Sequence, residues 1–256
     1  NVKYELIVVD NNSTDGSVDF IRRNYKNVKV IKNKQNLVYT GINSALPYCT
    51  GKYILFLNND IKLDKNCIIE LVNAIEKDSN IAMTAPRLVN YYNKNLKSAG
   101  TWVSRAFYSG HMAGNPQEKE IPYLGVGLIR KDIVSKFGYL FDSDYLIYGE
   151  DVDLGLRLRL LGLRMIFVPD AVLYHMHSMT TAKGPGHRMT FLLERNLLMT
   201  LLKILSLKNV LLFLPYALFM RLIAMLRDIA LLDFKNLAAR LHAVLWIAAN
   251  FGLIME

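Results

Sequence analysis

The stretch that decides the fold lies near the start of the 256-residue chain and reads Glu5-Leu6-Ile7-Val8-Val9-Asp10-Asn11-Asn12-Ser13-Thr14-Asp15-Gly16-Ser17. A short, almost wholly apolar run ends in an acid and passes directly into turn and helix-capping residues. This order is typical of a strand that is covered on both faces and leads into a helix. Because ligands of open parallel sheets bind beyond the carboxyl ends of strands, Asp10 is placed to accept hydrogen bonds from a base or ribose. Helix capping by Ser13, Thr14 or Asp15 explains part of the run without requiring Asp10.

The same alternation continues along the first third of the chain. Apolar β-branched runs predict strands, and segments with helical spacing predict helices between them, which indicates a βαβ architecture. The predicted strands are residues 6–10, 28–32, 53–57 and 81–85, and the predicted helices are residues 16–25, 40–49 and 65–77. Residues 87–120 have no clean periodicity, and they are either a flexible flap or an ordinary loop with a small hairpin around residues 101–107.

Strand and helix patterns return after residue 121 and change character near residue 190. The predicted elements are strands at residues 122–129, 165–168 and 172–175 and a helix at residues 150–161. Long apolar helices then follow, so we divide the chain into a catalytic domain of residues 1–199 and a helical region of residues 200–256. Because the apolar stretch begins almost at the first residue, Asn1, we also expect upstream sequence to be missing.

The apolar stretch 210–226 is about as long as the ~17 residues that a minimal membrane-spanning helix needs. Pro215 splits it and Arg221 interrupts it, which argues against a full span. We favour amphipathic helices lying in a membrane surface, with apolar side chains down and Arg or Lys up. A true span, a helical cap and a homo-oligomer interface are the alternatives.

The formal charge of +9 and the pI near 9.4 permit an anionic partner. The basic residues are scattered and show no Lys/Arg stripe with interleaved aromatic residues, so we expect no nucleic-acid partner. A membrane surface or a diphosphate fits better. Cys49 and Cys67 have no ligand-like spacing, which suits a reducing compartment and argues against a disulfide scaffold.

Two further strands and one helix deliver polar residues. Asn58-Asn59-Asp60 follows an apolar strand, and its carboxylate suits a hard divalent cation on a diphosphate, although such a run is also an ordinary turn. Glu150 and Asp151 open a helix. Acids in a first helical turn interact favourably with the positive end of the helix dipole, and the functional alternative is that one of the two is a general base. His175 ends a short strand and is either a packed ring or a metal ligand.

Together these segments resemble family 2 glycosyltransferases, particularly the rhamnosyltransferase-like group, over roughly residues 4–200. Besides the opening stretch, the matching residues are Asn36, Gly41-Ile42-Asn43, Leu57-Asn58-Asn59-Asp60, Gly125-Val126-Gly127-Leu128-Ile129-Arg130, Gly138, Tyr148-Gly149-Glu150-Asp151-Val152-Asp153-Leu154-Gly155-Leu156-Arg157, Val168-Pro169-Asp170-Ala171 and His175. The resemblance implies an α/β protein of the GT-A fold with a mostly parallel central sheet, followed by the apolar helices. Relative to the family, the opening strand and first helix are absent.

The resemblance also implies roles for individual residues. Asp151 would deprotonate the acceptor hydroxyl with Glu150 beside it, Asp60 would hold Mg or Mn on the donor diphosphate, and His175 is a further metal-site candidate. The residues expected to bind the donor are Asp10, Asn12, Asn36, Asn58, Asn59, Gly125, Gly127 and Arg195. Arg195 is either a phosphate clamp or a helix-surface charge. Where the family often has an Asp-x-Asp metal motif, Asn58 replaces the first acid.

The expected activity is inverting transfer of a hexose, rhamnose or a related sugar, from a nucleotide-diphosphate sugar. The acceptor would be a glycan or a polyprenyl-linked molecule, and the protein would lie in the cytoplasm at the inner face of the cell membrane. One rival is a nucleotidyltransferase, which would be expected to have a Gly-rich basic loop after its first strand. The other is a membrane-bound sugar-nucleotide-binding protein without catalysis.

Overall fold

The computed structural model describes residues 2–98, 100–112, 125–176 and 186–254. Its strands are β1 (Ile7–Asp10), β2 (Lys29–Lys32), β3 (Tyr53–Phe56), β4 (Ile61–Leu63), β5 (Ile81–Asn90), β6 (Leu96–Ser98), β7 (Thr101–Val103), β8 (Ser109–His111), β9 (Gly127–Arg130) and β10 (Arg164–His175). Its α-helices are α1 (Ser17–Asn24), α2 (Cys67–Glu76), α3 (Lys131–Phe137), α4 (Glu150–Leu160), α5 (His187–Ile204), α6 (Leu207–Ala230), α7 (Phe234–Ala249) and α8 (Phe251–Ile254).

Most of the predicted elements are confirmed within one or two residues at each end. The segment predicted as a helix at residues 40–49 is instead a 3-10 helix, Val38–Tyr48. It contains Pro47, which lacks an N–H and clashes with the preceding turn of an α-helix. The two strands predicted at residues 165–168 and 172–175 form the single strand β10, whose register shifts between Val168 and Val172.

The region from residue 87 to 112 is more regular than predicted. Strand β5 continues to Asn90 and pairs with β6, and β7 and β8 form an antiparallel hairpin. The hairpin alternative at residues 101–107 is therefore confirmed in kind, although its second strand begins at Ser109. Part of the strand predicted at residues 122–129 lies outside the described residues, and the described part begins at Gly127.

The main sheet is mixed, so the prediction of a mostly parallel sheet is wrong. Its strand order is β3-β9-β5-β10-β4, with β6 beside β5. Only the β5–β10 pair in this sheet is parallel among the described residues, because β9 inserts antiparallel between β3 and β5 and β4 lies antiparallel at the edge. Strands β1 and β2 form a separate parallel pair. Short apolar runs indicate that both faces are covered, but they carry no information on strand direction.

The sheet is packed on both faces. Leu71 and Ile75 of α2 are fully buried in a cluster with Leu173 on one face. On the other face Leu154 of α4 packs in a cluster with Phe56 and Ile129. Burying each such side chain contributes about 1.5–3 kcal/mol, so the helices fix the sheet and the strand ends that leave it.

Helices α5 to α8 form a third packed unit. Helix α5 continues across residue 199, where the sequence predicted a domain boundary, and it packs with α6 and α7. Its buried residues Leu197 and Leu201 belong to one cluster with Tyr145 and Val152, which flank the start of α4. The C-terminal helices are therefore continuous with the packing around α4.

Two charged residues of α6, Arg221 and Asp228, face inward, whereas Lys208 and Arg227 are exposed. Arg221 is 1% exposed and its Nε lies 2.8 Å from Glu194 Oε2 on α5, while Arg240 of α7 pairs with both Glu194 and Asp228. The predicted arrangement, with Arg or Lys up toward the membrane surface, therefore does not hold for Arg221. The opposite face of α6 is apolar and exposed, and its largest exposed side chains are Leu211, Leu212, Tyr216, Phe219, Leu222 and Leu226. By length and composition alone α6 could cross a membrane, with a mean hydropathy of 1.9.

Candidate active site

The first strand ends in a polar network around the loop that follows it. Asp10 is 7% exposed, and both of its carboxylate oxygens accept a hydrogen bond from the Ser13 backbone N–H at 3.2 Å. Asn12 is exposed and has a left-handed backbone, with φ of 67°. Asp10 therefore orders its own loop, and its predicted contact with a base stays a prediction.

Asn11 and Asn33 extend this network, although neither was predicted to be a site residue. Asn33 Nδ2 donates to Asn11 Oδ1 at 2.9 Å, and Asn11 Nδ2 donates to the carbonyl of Val38. A Cβ at Gly41 would lie 2.2 Å from Asn11 Oδ1, so only glycine fits there. Asn36 accepts a hydrogen bond from the Val38 N–H at 2.9 Å. These bonds fix the start of the 3-10 helix, and the donor contact predicted for Asn36 is untested.

Asp60 and His175 meet although they are far apart in the sequence. Strand β4 begins directly after Asp60 and pairs antiparallel with the end of β10, with Ile61 opposite His175. The Met176 N–H donates to the Asp60 carbonyl at 2.9 Å, and His175 Nε2 lies 3.4 Å from Asp60 Oδ1. Among the described residues, no group of three or more His, Cys, Asp or Glu side chains is arranged to hold a metal. The pair offers one oxygen and one nitrogen, which are ordinary ligands of divalent cations.

Tyr39 connects this pair with the acids of α4, and the sequence analysis missed it. The pKa of Tyr39 is raised to about 12, mainly by burial and also by the charges of Glu150, Asp151 and Asp60, while a side-chain hydrogen bond with Asn58 opposes the rise. The phenol is therefore protonated at neutral pH and lies within electrostatic reach of all three acids. Asn59, by contrast, is exposed.

Glu150 and Asp151 occupy different environments at the start of α4. Glu150 is 6% exposed, and burial, followed by the charge of Asp151, raises its pKa from 4.5 to about 8. Asp151 is half-buried and accepts hydrogen bonds from Thr101 Oγ1 at 3.0 Å and from the Val152 N–H at 2.9 Å. At neutral pH Glu150 is thus protonated, and Asp151 is held in a defined orientation.

Asp153, the third acid of this helical turn, has a structural role. It is 2% exposed and forms an ion pair of 2.7 Å with Arg157, one helical turn away. Gly125 lies on the other side of the acid pair, because a Cβ placed on it would be 3.8 Å from Asp151 Cβ. Gly127 is buried and pairs with Phe56 at the end of β3. Gly127 at the start of β9 and Gly125 just before it therefore lie beside the end of β3, which leads to Asp60, and beside Asp151, respectively.

Arg195 is buried, so the prediction of a helix-surface charge is wrong. It is 8% exposed, and its Nη2 donates to the carbonyls of Asp144 and Tyr145 at 2.8 and 3.3 Å. Its Nε donates to Asn196 Oδ1, and its guanidinium lies 4.9 Å from the ring centre of Trp246. These contacts anchor the loop before α4. They do not bear on the predicted role of Arg195 as a phosphate clamp, which stays a prediction.

Comparisons with known proteins agree on one family. The family model described as "Glycosyl transferase family 2" matches residues 1–138. The O-antigen biosynthesis protein RfbC of Myxococcus xanthus is 26% identical over 194 residues, which cover 68% of this chain and 15% of that protein. The N-acetylglucosaminyl-diphospho-decaprenol L-rhamnosyltransferase of Mycobacterium tuberculosis is 22% identical over 213 residues, covering 71% of this chain and 69% of the relative.

Solved structures agree on the fold. GalNAc-T7, crystallised with UDP, GalNAc and Mn2+, superposes with a TM-score of 0.63 and 16% identity over 77% of this chain and 41% of its own. The GT-A fold is therefore confirmed, together with the C-terminal apolar helices. The chain spans 15% of the length of the first relative and 69% of that of the second.

Proposed function

Because the chain belongs to glycosyl transferase family 2, we propose that it transfers a hexose from a nucleotide-diphosphate sugar to an acceptor hydroxyl with inversion at the anomeric carbon. The observation that carries this proposal is the position of Tyr39, which lies within electrostatic reach of Asp60, Glu150 and Asp151. Because one phenol is in reach of both pairs, we propose that the Asp60–His175 pair and the Glu150–Asp151 pair line one cleft.

Asp60 and His175 would hold a divalent cation, Mg or Mn, against the donor diphosphate. Their atoms lie 3.4 Å apart on two paired strand ends, so together they would supply one oxygen and one nitrogen ligand to such a cation. When bound, the cation offsets the negative charge that develops on the departing diphosphate. The Mn2+ in the GalNAc-T7 crystals agrees with this choice. Asp10, Asn12 and Asn36 are the residues we propose for the nucleoside side.

Asp151 would accept the proton of the acceptor hydroxyl. The acceptor oxygen then forms a bond to the anomeric carbon from the face opposite the diphosphate, while the bond to the diphosphate breaks and its electron pair leaves with the nucleotide. Thr101 and the Val152 N–H hold the Asp151 carboxylate in place. The protonated Glu150 keeps the neighbouring charge low, so that one net negative charge serves the pair at neutral pH.

The acceptor we propose is lipid-linked or a polysaccharide, and the protein would work at the inner face of the cell membrane. The support is the exposed apolar face of α6 and the lipid-linked substrate in the name of the M. tuberculosis relative. Such a face is larger than the scattered apolar residues of ordinary surfaces. Alternatively, a second copy of this chain covers the exposed apolar face of α6, which predicts a homo-oligomer.

The test is a panel of nucleotide sugars incubated with the protein and a lipid-linked acceptor, with Mn2+, with Mg2+ and with a chelator. We expect transfer from one donor in the presence of either cation and none with the chelator. Undiminished transfer with the chelator would remove the cation from the proposal. Absence of transfer and of donor hydrolysis across the panel would contradict the enzymatic function.

A further inference from the structure

The acids of α4 follow a turn with an unfavourable backbone. Leu146, Tyr148 and Gly149 have φ values of 61°, 70° and 86°, in the left-handed region. For residues with a side chain this region costs roughly 1–2 kcal/mol each, so surrounding contacts must hold the turn. Since Gly149 directly precedes Glu150, the turn sets the direction in which the first turn of α4 presents its carboxylates.

The side chain of Asn196 provides those contacts. Asn196 is fully buried on α5, and its Nδ2 lies 3.0 Å from the carbonyl oxygen of Tyr145, 2.9 Å from that of Ile147 and 2.6 Å from that of Tyr148. An amide nitrogen has two protons, so the three carbonyls share them. One side chain thus binds three of the five carbonyls of the 145–149 turn.

Asn196 is itself held rigidly. Its Oδ1 accepts a hydrogen bond from Arg195 Nε at 2.8 Å, and its backbone carbonyl accepts one from Thr200 Oγ1 at 2.9 Å. Thr200 also bonds the Tyr145 hydroxyl at 2.7 Å. On the other side, a Cβ on Gly149 would lie 3.3 Å from Asn196 Cβ, so helix and turn are in close contact.

We propose that Asn196 is a positioning residue of the transfer reaction, which fixes the direction of the Glu150–Asp151 pair through the 145–149 turn. It does not touch the reacting atoms. The inference rests on the proposed function, in which Asp151 accepts the acceptor proton. If the reaction requires a fixed position of the Asp151 carboxylate, this explains why the chain keeps a strained turn and holds it with a buried amide.

The test is Asn196→Asp, which keeps the size of the side chain and replaces the shared N–H donors by an oxygen facing three carbonyls. Misplacing a reacting group by about 1 Å costs about 100-fold in rate, so we expect kcat to fall about 10- to 100-fold. The KM for the donor should change less than about twofold. The Asp60–His175 pair, which we propose for the donor diphosphate, lies at the paired ends of β4 and β10 and not in the 145–149 turn. Changing the turn should also move the inflection that Glu150 gives to the pH–rate profile, near pH 8; the shift is toward lower pH where the variant adds no acid, as in Asn196→Ser.

Asn43→Asp is the matched control. Asn43 brackets another backbone segment in the same way, with hydrogen bonds of 2.6, 2.9 and 3.2 Å to Leu140 and Phe141. Its loss should lower the melting temperature, while the pH–rate profile of the folded protein keeps its position. Equal changes in kcat and in the profile for both variants would overturn the proposal.

A second variant covers the case in which Asn196→Asp does not fold. Asn196→Ser retains one donor and should give an intermediate kcat with an unchanged donor KM. Wild-type kcat in folded Asn196→Ser, with an unmoved profile, would contradict the positioning role. Failure of the proposed function would look different, because the wild-type protein itself would then transfer no sugar.

Discussion

The two residue pairs of the proposed cleft, Asp60–His175 and Glu150–Asp151, are built in opposite ways. Asp60 and His175 lie at strand ends held by backbone pairing, and their side chains are 31% and 14% exposed. Glu150 and Asp151 follow a strained turn whose carbonyls accept hydrogen bonds from the buried side chain of Asn196 on α5. The Asp60–His175 pair is partly exposed, which suits a ligand that arrives with the substrate. The Glu150–Asp151 pair depends on a fixed environment that is partly shielded from water.

The largest effect should come from Asp151→Asn, which removes the proton acceptor and leaves the Asp60–His175 pair intact. We expect the transfer rate to fall about 10²- to 10⁴-fold, the usual contribution of a general base. Donor affinity, measured by calorimetry, should stay near the wild-type value. More than about a tenth of wild-type turnover would show that Asp151 is not the base.

Asp153→Asn is the control within the same helical turn. Because Asp153 pairs with Arg157 and is buried, its variant should lose stability. The rate per folded molecule should change far less than in Asp151→Asn.

The next effect concerns the Asp60–His175 pair. In Asp60→Asn, donor binding with Mn2+ should weaken about 10- to 100-fold, the scale of losing one charged contact of about 1.5–3 kcal/mol. With a chelator, wild type and variant should bind equally, because the carboxylate acts through the cation. Equal wild-type affinity with and without Mn2+ would remove Asp60 from a metal site.

A smaller effect should appear in stability rather than in rate. Glu150 has a folded-state pKa of about 8 against an ordinary 4.5, so its protonated form favours the folded state. This stabilisation is complete below pH 4.5 and is lost as the pH rises through about 8. Between about pH 5 and about pH 9, the melting temperature of wild type should therefore fall more steeply than that of Glu150→Gln. Parallel curves would mean that Glu150 is not buried as described.

The smallest effect on chemistry should come from the outer face of α6. Phe219 and Leu222 are 57% and 53% exposed, so replacing both with Gln leaves the fold intact. The double variant should stop sedimenting with anionic vesicles and keep its rate on a short, soluble acceptor. Should the wild-type chain ignore vesicles and form a dimer that the variant dissolves, the face is an assembly interface. Truncation near residue 199 is a poorer test, because it removes Arg221 and Arg240 and leaves Glu194 buried without them.

The sequence predicted those candidate site residues that lie at the ends of apolar strands. Asp10, Asp60 and His175 each follow such a run, and its composition alone locates the strand end. The direction of β9 was not predictable, because an apolar run reads the same in either direction. Tyr39 was missed since a single tyrosine next to a segment with helical spacing shows no chemical pattern. Asn196 was missed, and the burial of Arg221 was not foreseen, because the burial of both depends on packing against segments that are far away in the sequence.

The most direct measurement is the anomeric configuration of the first product, followed by NMR during transfer from the donor that the panel identifies. Diphosphate held at Asp60 and His175 and a base at Asp151 require a single displacement from the opposite face of the sugar. We expect a product with inverted configuration from its earliest detectable appearance. A product that retains the configuration of the donor would contradict the division of the cleft into a diphosphate side and a base side.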